Sequence, residues 1–161
     1  QDHIAVARPG YYIHGSRGKL SFQLTQKLLS ARDYSHLSIF TKGVRRKFNV
    51  LRCPLLSPLF YSYKKHGKER GCNMAFWKKD VYAVNGYDER MIGYGYEDID
   101  LPARLQRMGI KKRFIKFRGI EYHLDHKASS TKSNMNSNQR IFEENELRHI
   151  IRVQKGIDQY I

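Results

Sequence analysis

The sequence predicts an α/β domain, and three observations lead to that class. The length of 161 residues, with 40% hydrophobic and 28% charged side chains, suits one compact folded domain with its own core. Apolar or alternating runs of strand length occur at 11–14, 73–77 and 112–124. Apolar residues recur at helical spacing at about 98–108 and 139–154. We therefore expect a small mixed sheet with flanking helices.

The first thirty residues are predicted to contain three elements. The stretch 2–8 is predicted to be the end of a helix, because Pro9-Gly10 follows it. The strand 11–14 comes next. Ser21 is a suitable N-cap for a second helix, whose apolar positions are Leu24, Leu28 and Leu29.

The stretch from 31 to 70 has little periodicity. Prolines and a glycine interrupt it, and residues 42–47 form a basic cluster. We expect a loop-rich excursion over the surface with at most short helices. A basic cluster of this kind is either a solvated face or a surface that attracts anionic lipid or substrate.

Regular structure is predicted again from Gly71 onwards. A buried strand at 72–77 is followed by a short helix at 78–84, which Asn85-Gly86 ends. A loop rich in glycine and tyrosine occupies 87–96.

An acidic run, 97–100, then opens the helix whose apolar residues are Leu101, Leu105 and Met108. We expect Pro102 in its first turn and Gly109 just after its end. Two strands at 112–117 and 120–124 come next, and a polar, mobile loop is predicted at 127–138. The final helix, 139–155, should turn Phe142, Leu147, Ile150 and Ile151 inward and end at Gly156.

The charge of the chain points to anionic partners. Thirty Lys and Arg residues against 15 Asp and Glu give a formal net charge of +15. Nucleic acid, an anionic membrane surface and nucleotide-diphosphate substrates all fit this charge. The two cysteines, Cys53 and Cys72, lie far apart and are predicted to be reduced thiols of a cytoplasmic protein.

The segment 93–100, Gly-Tyr-Gly-Tyr-Glu-Asp-Ile-Asp, carries the chemistry. Glycines allow close approach of the backbone to a ligand, and aromatic faces suit sugar rings. Carboxylates at a helix start stay ionised and can accept the proton of an attacking hydroxyl. Ordinary helix capping is the simpler explanation for the same acids. Asp98 and Asp100 do not share a helix face, so we do not interpret them as a metal clamp.

Four motifs in a fixed order raise this segment above helix capping. They are Gly-Cys-Asn-Met-Ala-Phe at 71–76, Val-Asn-Gly-Tyr-Asp at 84–88, the Gly-Tyr-Gly-Tyr-Glu-Asp loop at 93–98, and Tyr-His-Leu-Asp-His at 122–126. This order resembles the C-terminal, acceptor-side half of inverting GT-A glycosyltransferases, closest to bacterial family 2 enzymes and the galactosyltransferase C-terminal region.

The resemblance implies roles for particular residues. Asp98 would be the catalytic base, with Glu97 on acceptor hydroxyls, and an Asp at this position favours inversion of the anomeric carbon. The resemblance and the composition of the loop suggest an acceptor-binding set of Gly93, Tyr94, Gly95, Tyr96, Trp77 and Asn73. Core packing is an equally good explanation for Trp77.

The resemblance also implies a divalent metal, Mn or Mg, in the full-length enzyme. His126, with His123 second, would complete the metal site together with an upstream Asp-x-Asp motif. That motif and the nucleotide-binding half are not in these 161 residues. We therefore expect the segment to be catalytically incomplete. We also expect metal binding to require the missing half.

The implied partners are a nucleotide-diphosphate sugar donor and a glycan or glycolipid acceptor of cell-surface polysaccharide or lipopolysaccharide synthesis. We expect a cytoplasmic location, peripheral at the inner face of the membrane, and a homo-oligomer that covers an exposed sheet face. The alternatives are a basic nucleic-acid-binding module and a membrane-docking module with residues 42–65 as its surface. Nucleic acid is disfavoured because no known binding motif is present and the basic residues are scattered.

Overall fold

The computed structural model describes residues 1–62, 71–127 and 134–161. Within them the helices are α1 (Asp2–Val6), α2 (Phe22–Ala31), α3 (Lys78–Ala83), α4 (Glu97–Arg107) and α5 (Met135–Leu147). The strands are β1 (Tyr11–His14), β2 (Ser16–Leu20), β3 (Val44–Arg45), β4 (Met74–Ala75), β5 (Lys111–Phe114) and β6 (Ile120–His123). The described helices are all too short or too polar to cross a bilayer.

The strands form two mixed sheets with the orders β4-β1-β5 and β3-β2-β6. β1 runs parallel to β5 and β2 runs parallel to β6, with Lys19 opposite His123. The outer strands β4 and β3 are antiparallel to their neighbours. The α/β class predicted from the sequence is confirmed, and the arrangement is consistent with a partial GT-A-like fold.

β2 was not predicted, because its sequence is polar and contains a glycine. Gly18 is required here, since a Cβ at this position would lie 2.2 Å from Cγ1 of Val50. Val50 therefore packs directly over the strand. It belongs to a core cluster with Leu20, Leu24, Leu28 and Val44.

The second helix forms as expected around its N-cap. The Ser21 hydroxyl accepts a hydrogen bond from the Leu24 amide at 3.3 Å. All three predicted leucines lie on this helix. Leu24 and Leu28 are buried, whereas Leu29 is exposed. The helix ends at Ala31, and Arg32 adopts the left-handed conformation that often follows a helix.

The loop-rich excursion is confirmed for its described part, residues 31–62. The regular structure there is β3 and the 3₁₀ turns Lys47–Asn49 and Ser57–Phe60. The remainder of the predicted excursion, 63–70, lies outside the described residues.

Two predictions around residues 72–102 need correction. The buried strand at 72–77 is reduced to β4, which is half-buried because it lies at the edge of its sheet. Asn73 has a φ of 59°, a left-handed conformation that is incompatible with a continuous strand. Pro102 lies inside α4 and not in its first turn, because the helix already begins at Glu97.

The last helix is also placed differently from the prediction. α5 begins at Met135, within the predicted loop 127–138, of which residues 128–133 lie outside the described part. Leu147 and Ile151, predicted to point inward, are exposed. The buried positions of α5 are Asn138 and Asn145, because the helix packs against polar groups.

Candidate functional site

A cavity of about 580 Å³ lies where β2, β6 and the start of α4 meet. Its walls are formed by Arg17, Lys19, Gly71, Cys72, Tyr94, Gly95, Tyr96, Asp98, Ile99, His123, His126 and Met135. The structure therefore brings the predicted base, most of the predicted loop and both histidines into one cavity. In the sequence, Asp98 and His123 lie about 25 residues apart.

The loop that precedes α4 owes its shape to left-handed backbone conformations. Gly95 has a φ of 105°, and a Cβ there would lie 3.3 Å from Cγ of Met135. Tyr96 has a φ of 72° and caps α4 with its carbonyl, which accepts from the Asp100 amide at 2.8 Å. The Tyr96 ring packs on Phe142 of α5 with 5.6 Å between ring centroids. These contacts fix the loop against α5.

Asp98 lies in the first turn of α4, the end of a helix where the dipole favours negative charge. Its Oδ2 accepts a hydrogen bond from the backbone amide of Gly71, so the carboxylate is held against the cavity wall. Burial, and then the carboxylates of Asp98 and Glu97, raise the pKa of Tyr87. The Tyr87 phenol therefore stays protonated beside these acids at neutral pH.

Two other acids near Asp98, Asp100 and Asp88, belong to a buried network. The carboxylate of Asp100 accepts from Arg104 Nε at 2.6 Å and from Asn145 Nδ2 at 2.9 Å. Asp88 accepts from Arg90 at 2.8 Å and from the same asparagine at 3.0 Å. Both carboxylates are thus committed to structural partners, and Asp98 is the acidic residue of this run that lines the cavity.

Glu97 differs from Asp98 in its surroundings. Its Oε2 atom is buried and has no hydrogen-bond partner among the described residues, and the side chain does not line the cavity. Contact of Glu97 with acceptor hydroxyls stays a prediction.

The two histidines lie next to each other with 5.0 Å between ring centroids. Burial, and then the charge of Arg17, lower the pKa of His123, so its imidazole is neutral at pH 7. Neutral imidazole is the form that ligates metals. However, the described residues contain no group of three His, Cys, Asp or Glu side chains that could hold an ion. The described residues alone do not supply enough ligands for a divalent metal, and ligation by His126 stays a prediction.

Arg17 and Lys19 are the functional candidates that sequence reasoning missed. They are two residues apart on β2, so both side chains point to the same face of the sheet. Nε of Arg17 is buried and has no hydrogen-bond partner among the described residues. The available signal was the alternation of charged with small or apolar residues in 16–20, Ser-Arg-Gly-Lys-Leu, but it has meaning only once the strand is recognised.

Cys72, also missed, lies at the same cavity. Burial, and then the nearby Glu121 carboxylate, raise the pKa of its thiol. The thiol is therefore protonated at neutral pH and adds a weak polar group to the wall, not a thiolate nucleophile.

Two residues predicted for the acceptor site lie elsewhere. Trp77 lines a separate, apolar cavity of about 210 Å³ beside α1 and donates its indole N–H to the Arg8 carbonyl at 3.1 Å. The Asn73 amide donates to the carbonyls of Ser16 and Gly119, both at 2.6 Å. Both side chains tie elements of the fold together, so the geometry does not support their acceptor role.

Residues 57–127 match a family model described as the N-terminal domain of galactosyltransferase. The match covers less than half of the chain, but it includes α3, the loop 93–96, α4 and both histidines. It supports a glycosyltransferase-type domain, which agrees with the general class inferred from the motifs. It does not identify a bacterial family 2 enzyme or a C-terminal half. Comparison with curated proteins and with solved structures found no match.

Proposed function

We propose that the chain supplies the acceptor-binding and catalytic-base part of an inverting, nucleotide-sugar-dependent glycosyltransferase of the GT-A type. The observation that supports this best is the position of Asp98. Its carboxylate lines the cavity, whereas those of Asp88 and Asp100 are committed to buried partners. A cavity-lining carboxylate beside a loop with exposed aromatic side chains suits the binding and deprotonation of a sugar hydroxyl.

In the proposed reaction, the acceptor hydroxyl transfers its proton to Asp98 as its oxygen bonds to the anomeric carbon of the donor. The bond from that carbon to the diphosphate oxygen breaks on the opposite side. The nucleoside diphosphate leaves with the electron pair, and the anomeric configuration inverts. Asp98 therefore has to be ionised before the reaction, which its place in the first turn of α4 favours.

The two cations of β2 give the cavity a second role. Negative charge develops on the diphosphate as it leaves, and fixed positive groups aimed at that charge lower the barrier. Arg17 and Lys19 lie in the same cavity as Asp98 and are suited to this task. Tyr94, which is 53% exposed, can offer its ring to a sugar face.

We further propose that the acceptor is a glycan or glycolipid of cell-surface polysaccharide or lipopolysaccharide synthesis, as the resemblance to bacterial enzymes implies. We also propose that a nucleotide-binding half outside these residues completes the donor site. The 161-residue chain alone should then transfer no sugar from UDP-galactose to a panel of glycoside acceptors. Robust turnover by this chain would contradict the second proposal and leave the first intact.

The catalytic assignment is tested by Asp98→Asn in the enzyme that joins this chain to its donor half. The substitution keeps size and shape but removes the proton acceptor. Sugar transfer should fall by at least about 100-fold, while UDP-galactose binding, measured by calorimetry, is retained. The matched control is Asp33→Asn, an exposed carboxylate outside the cavity.

Thermal melts of both variants must show that they remain folded. Normal transfer by the Asp98→Asn enzyme would remove this residue from the mechanism. A loss confined to Glu97→Gln would keep the proposed class and move the base by one residue.

A further inference from the structure

The described excursion between α2 and β4 has an unusual charge. No acidic residue occurs between Asp33 and Glu69. Its cations Lys42, Arg45, Arg46 and Lys47 are all exposed, and none of the ion pairs among the described residues involves them. We call residues 34–60 the docking surface. The charge of these four cations is thus not neutralised by the described part of the chain, whereas Arg52 of the same surface pairs with Asp2.

The same surface exposes large apolar side chains. Phe40 is 85% exposed, Phe48 80%, Leu55 91% and Leu59 78%. Single exposed apolar residues are common on proteins, but these four lie within 20 residues of one basic segment. Phe40 also lines a surface cavity together with Leu51 and Arg52, so the two ends of the segment 40–52 lie close together.

The exposure of these side chains is not the result of a loose loop. Val44 and Val50 of the same segment are buried in the core cluster of α2 and β2. The Gly43 carbonyl accepts from the Ser21 amide at 2.8 Å. Asn49 donates to the Arg17 carbonyl at 3.0 Å. The valines thus hold the segment inward, while its phenylalanines face outward.

We propose that the docking surface binds the headgroup layer of an anionic lipid bilayer. Phe40, Phe48 and the two leucines would enter the boundary between headgroups and acyl chains, and the four cations would lie among lipid phosphates. The exposed leucines favour lipid over nucleic acid, because aliphatic side chains do not stack on bases as aromatic ones do. This inference does not depend on the proposed transferase activity.

The proposal also has a geometric consequence. The Arg17 carbonyl that accepts from Asn49 belongs to a residue of the cavity. Docking through residues 34–60 would therefore hold the cavity close to the bilayer surface, within reach of a membrane-linked molecule.

Sedimentation with lipid vesicles tests the proposal on the whole 161-residue chain. Vesicles of phosphatidylcholine alone are compared with vesicles that also contain phosphatidylglycerol, at physiological ionic strength. We expect binding to the anionic vesicles. The pair Lys42→Gln/Lys47→Gln should weaken it by roughly 30-fold, because each basic residue near such a surface contributes about fivefold. The pair Phe40→Ser/Phe48→Ser should also weaken it clearly.

Matched controls separate a local surface from general charge and hydrophobicity. Lys79→Gln/Lys155→Gln removes the same net charge from exposed positions elsewhere, and Leu147→Ser removes a side chain that is 83% exposed on α5. Both controls should bind vesicles like the unmodified chain. All substitutions lie at exposed positions, and circular dichroism melts check that each variant is folded.

Several outcomes would overturn the proposal. An equal loss of vesicle binding in Lys42→Gln/Lys47→Gln and in Lys79→Gln/Lys155→Gln would mean that the chain binds through its net charge alone. Vesicle binding unaffected by the phenylalanine pair would exclude insertion. Absence of vesicle binding would also overturn the proposal. Tight binding of a single-stranded oligonucleotide would then assign the surface to nucleic acid. Self-association that is lost on Phe40→Ser/Phe48→Ser would assign it to a second copy of the chain.

Discussion

Removal of one carboxylate from the buried network beneath α4 should strongly destabilise the protein. The substitution is Asp100→Asn, which preserves shape and removes the charge. Arg104, its partner, is fully buried and donates from Nε to this carboxylate at 2.6 Å. Its other two nitrogens donate to the Val84 and Gly86 carbonyls at 2.8 and 2.7 Å. These carbonyls are neutral, so the variant leaves a buried positive charge without its counterion.

The magnitude follows from this burial. Breaking a buried ion pair by removing one partner destabilises by about 3–5 kcal/mol. An asparagine has one oxygen and one NH₂ group, so it cannot accept from both Arg104 and Asn145 as Asp100 does. Because the free energy of unfolding of a domain is about 5–15 kcal/mol, the loss is a large fraction of the total. With a shift of about 2–4 °C per kcal/mol, Tm should fall by roughly 6–20 °C.

Urea unfolding followed by circular dichroism measures this loss. The matched control is Asp158→Asn, whose ion pair with Arg152 at 2.9 Å is about half exposed on both sides. An exposed pair of this kind contributes about 1 kcal/mol or less. A double-mutant cycle with Arg104→Met should show that the two losses are not additive. An Asp100→Asn variant as stable as the Asp158→Asn variant would refute the view that this network holds the start of α4.

Two further predictions concern ties that position the sheets. The hydrogen bond from Arg52 holds the pKa of Asp2 at about 2, below 3.8. The stabilisation by Asp2 is therefore complete above about pH 4 and is lost as the pH falls through about 2. Asp2→Asn should lower the urea midpoint at neutral pH and progressively less as the pH falls towards and below 2, and a constant difference would contradict the assignment. Asn73→Ala should lower the free energy of unfolding by about 1–3 kcal/mol, because it removes the side-chain donor to the Ser16 and Gly119 carbonyls. The control Asn73→Gly suits the positive φ and separates the lost hydrogen bonds from backbone strain. Weaker glycan binding at unchanged stability would restore the acceptor role.

Part of the site could be predicted from the sequence because its signals are local. Leu101 and Leu105 recur at helical spacing, and the acids at 97–100 precede them where the helix dipole favours negative charge. The N-cap Ser21 acts on an amide three residues away. Such patterns involve neighbours within one helical turn, so they can be recognised without the tertiary structure. The order of the four motifs similarly predicted the glycosyltransferase class that the family match supports.

The inward face of α5 could not be predicted in this way. Apolar periodicity suggested Leu147 and Ile151, but Asn138 and Asn145 are buried instead. Asn145 is stable there because it donates to Asp88, 57 residues away, and to Asp100, 45 residues away. A buried amide is favourable only when its partners are in place, and the sequence around α5 contains no sign of them.

The sequence by itself thus determined the class of fold, the helix that carries Asp98 and the loop before it. The tertiary structure decided which acid faces the cavity, and it placed Trp77 elsewhere. It also decided that Arg17 and Lys19 line the cavity, because β2 exists through its pairing with β6, about 100 residues further along the chain. The physical reason is that helices and caps are stabilised by near neighbours, whereas a polar strand and a buried polar network are stabilised by partners distant in sequence.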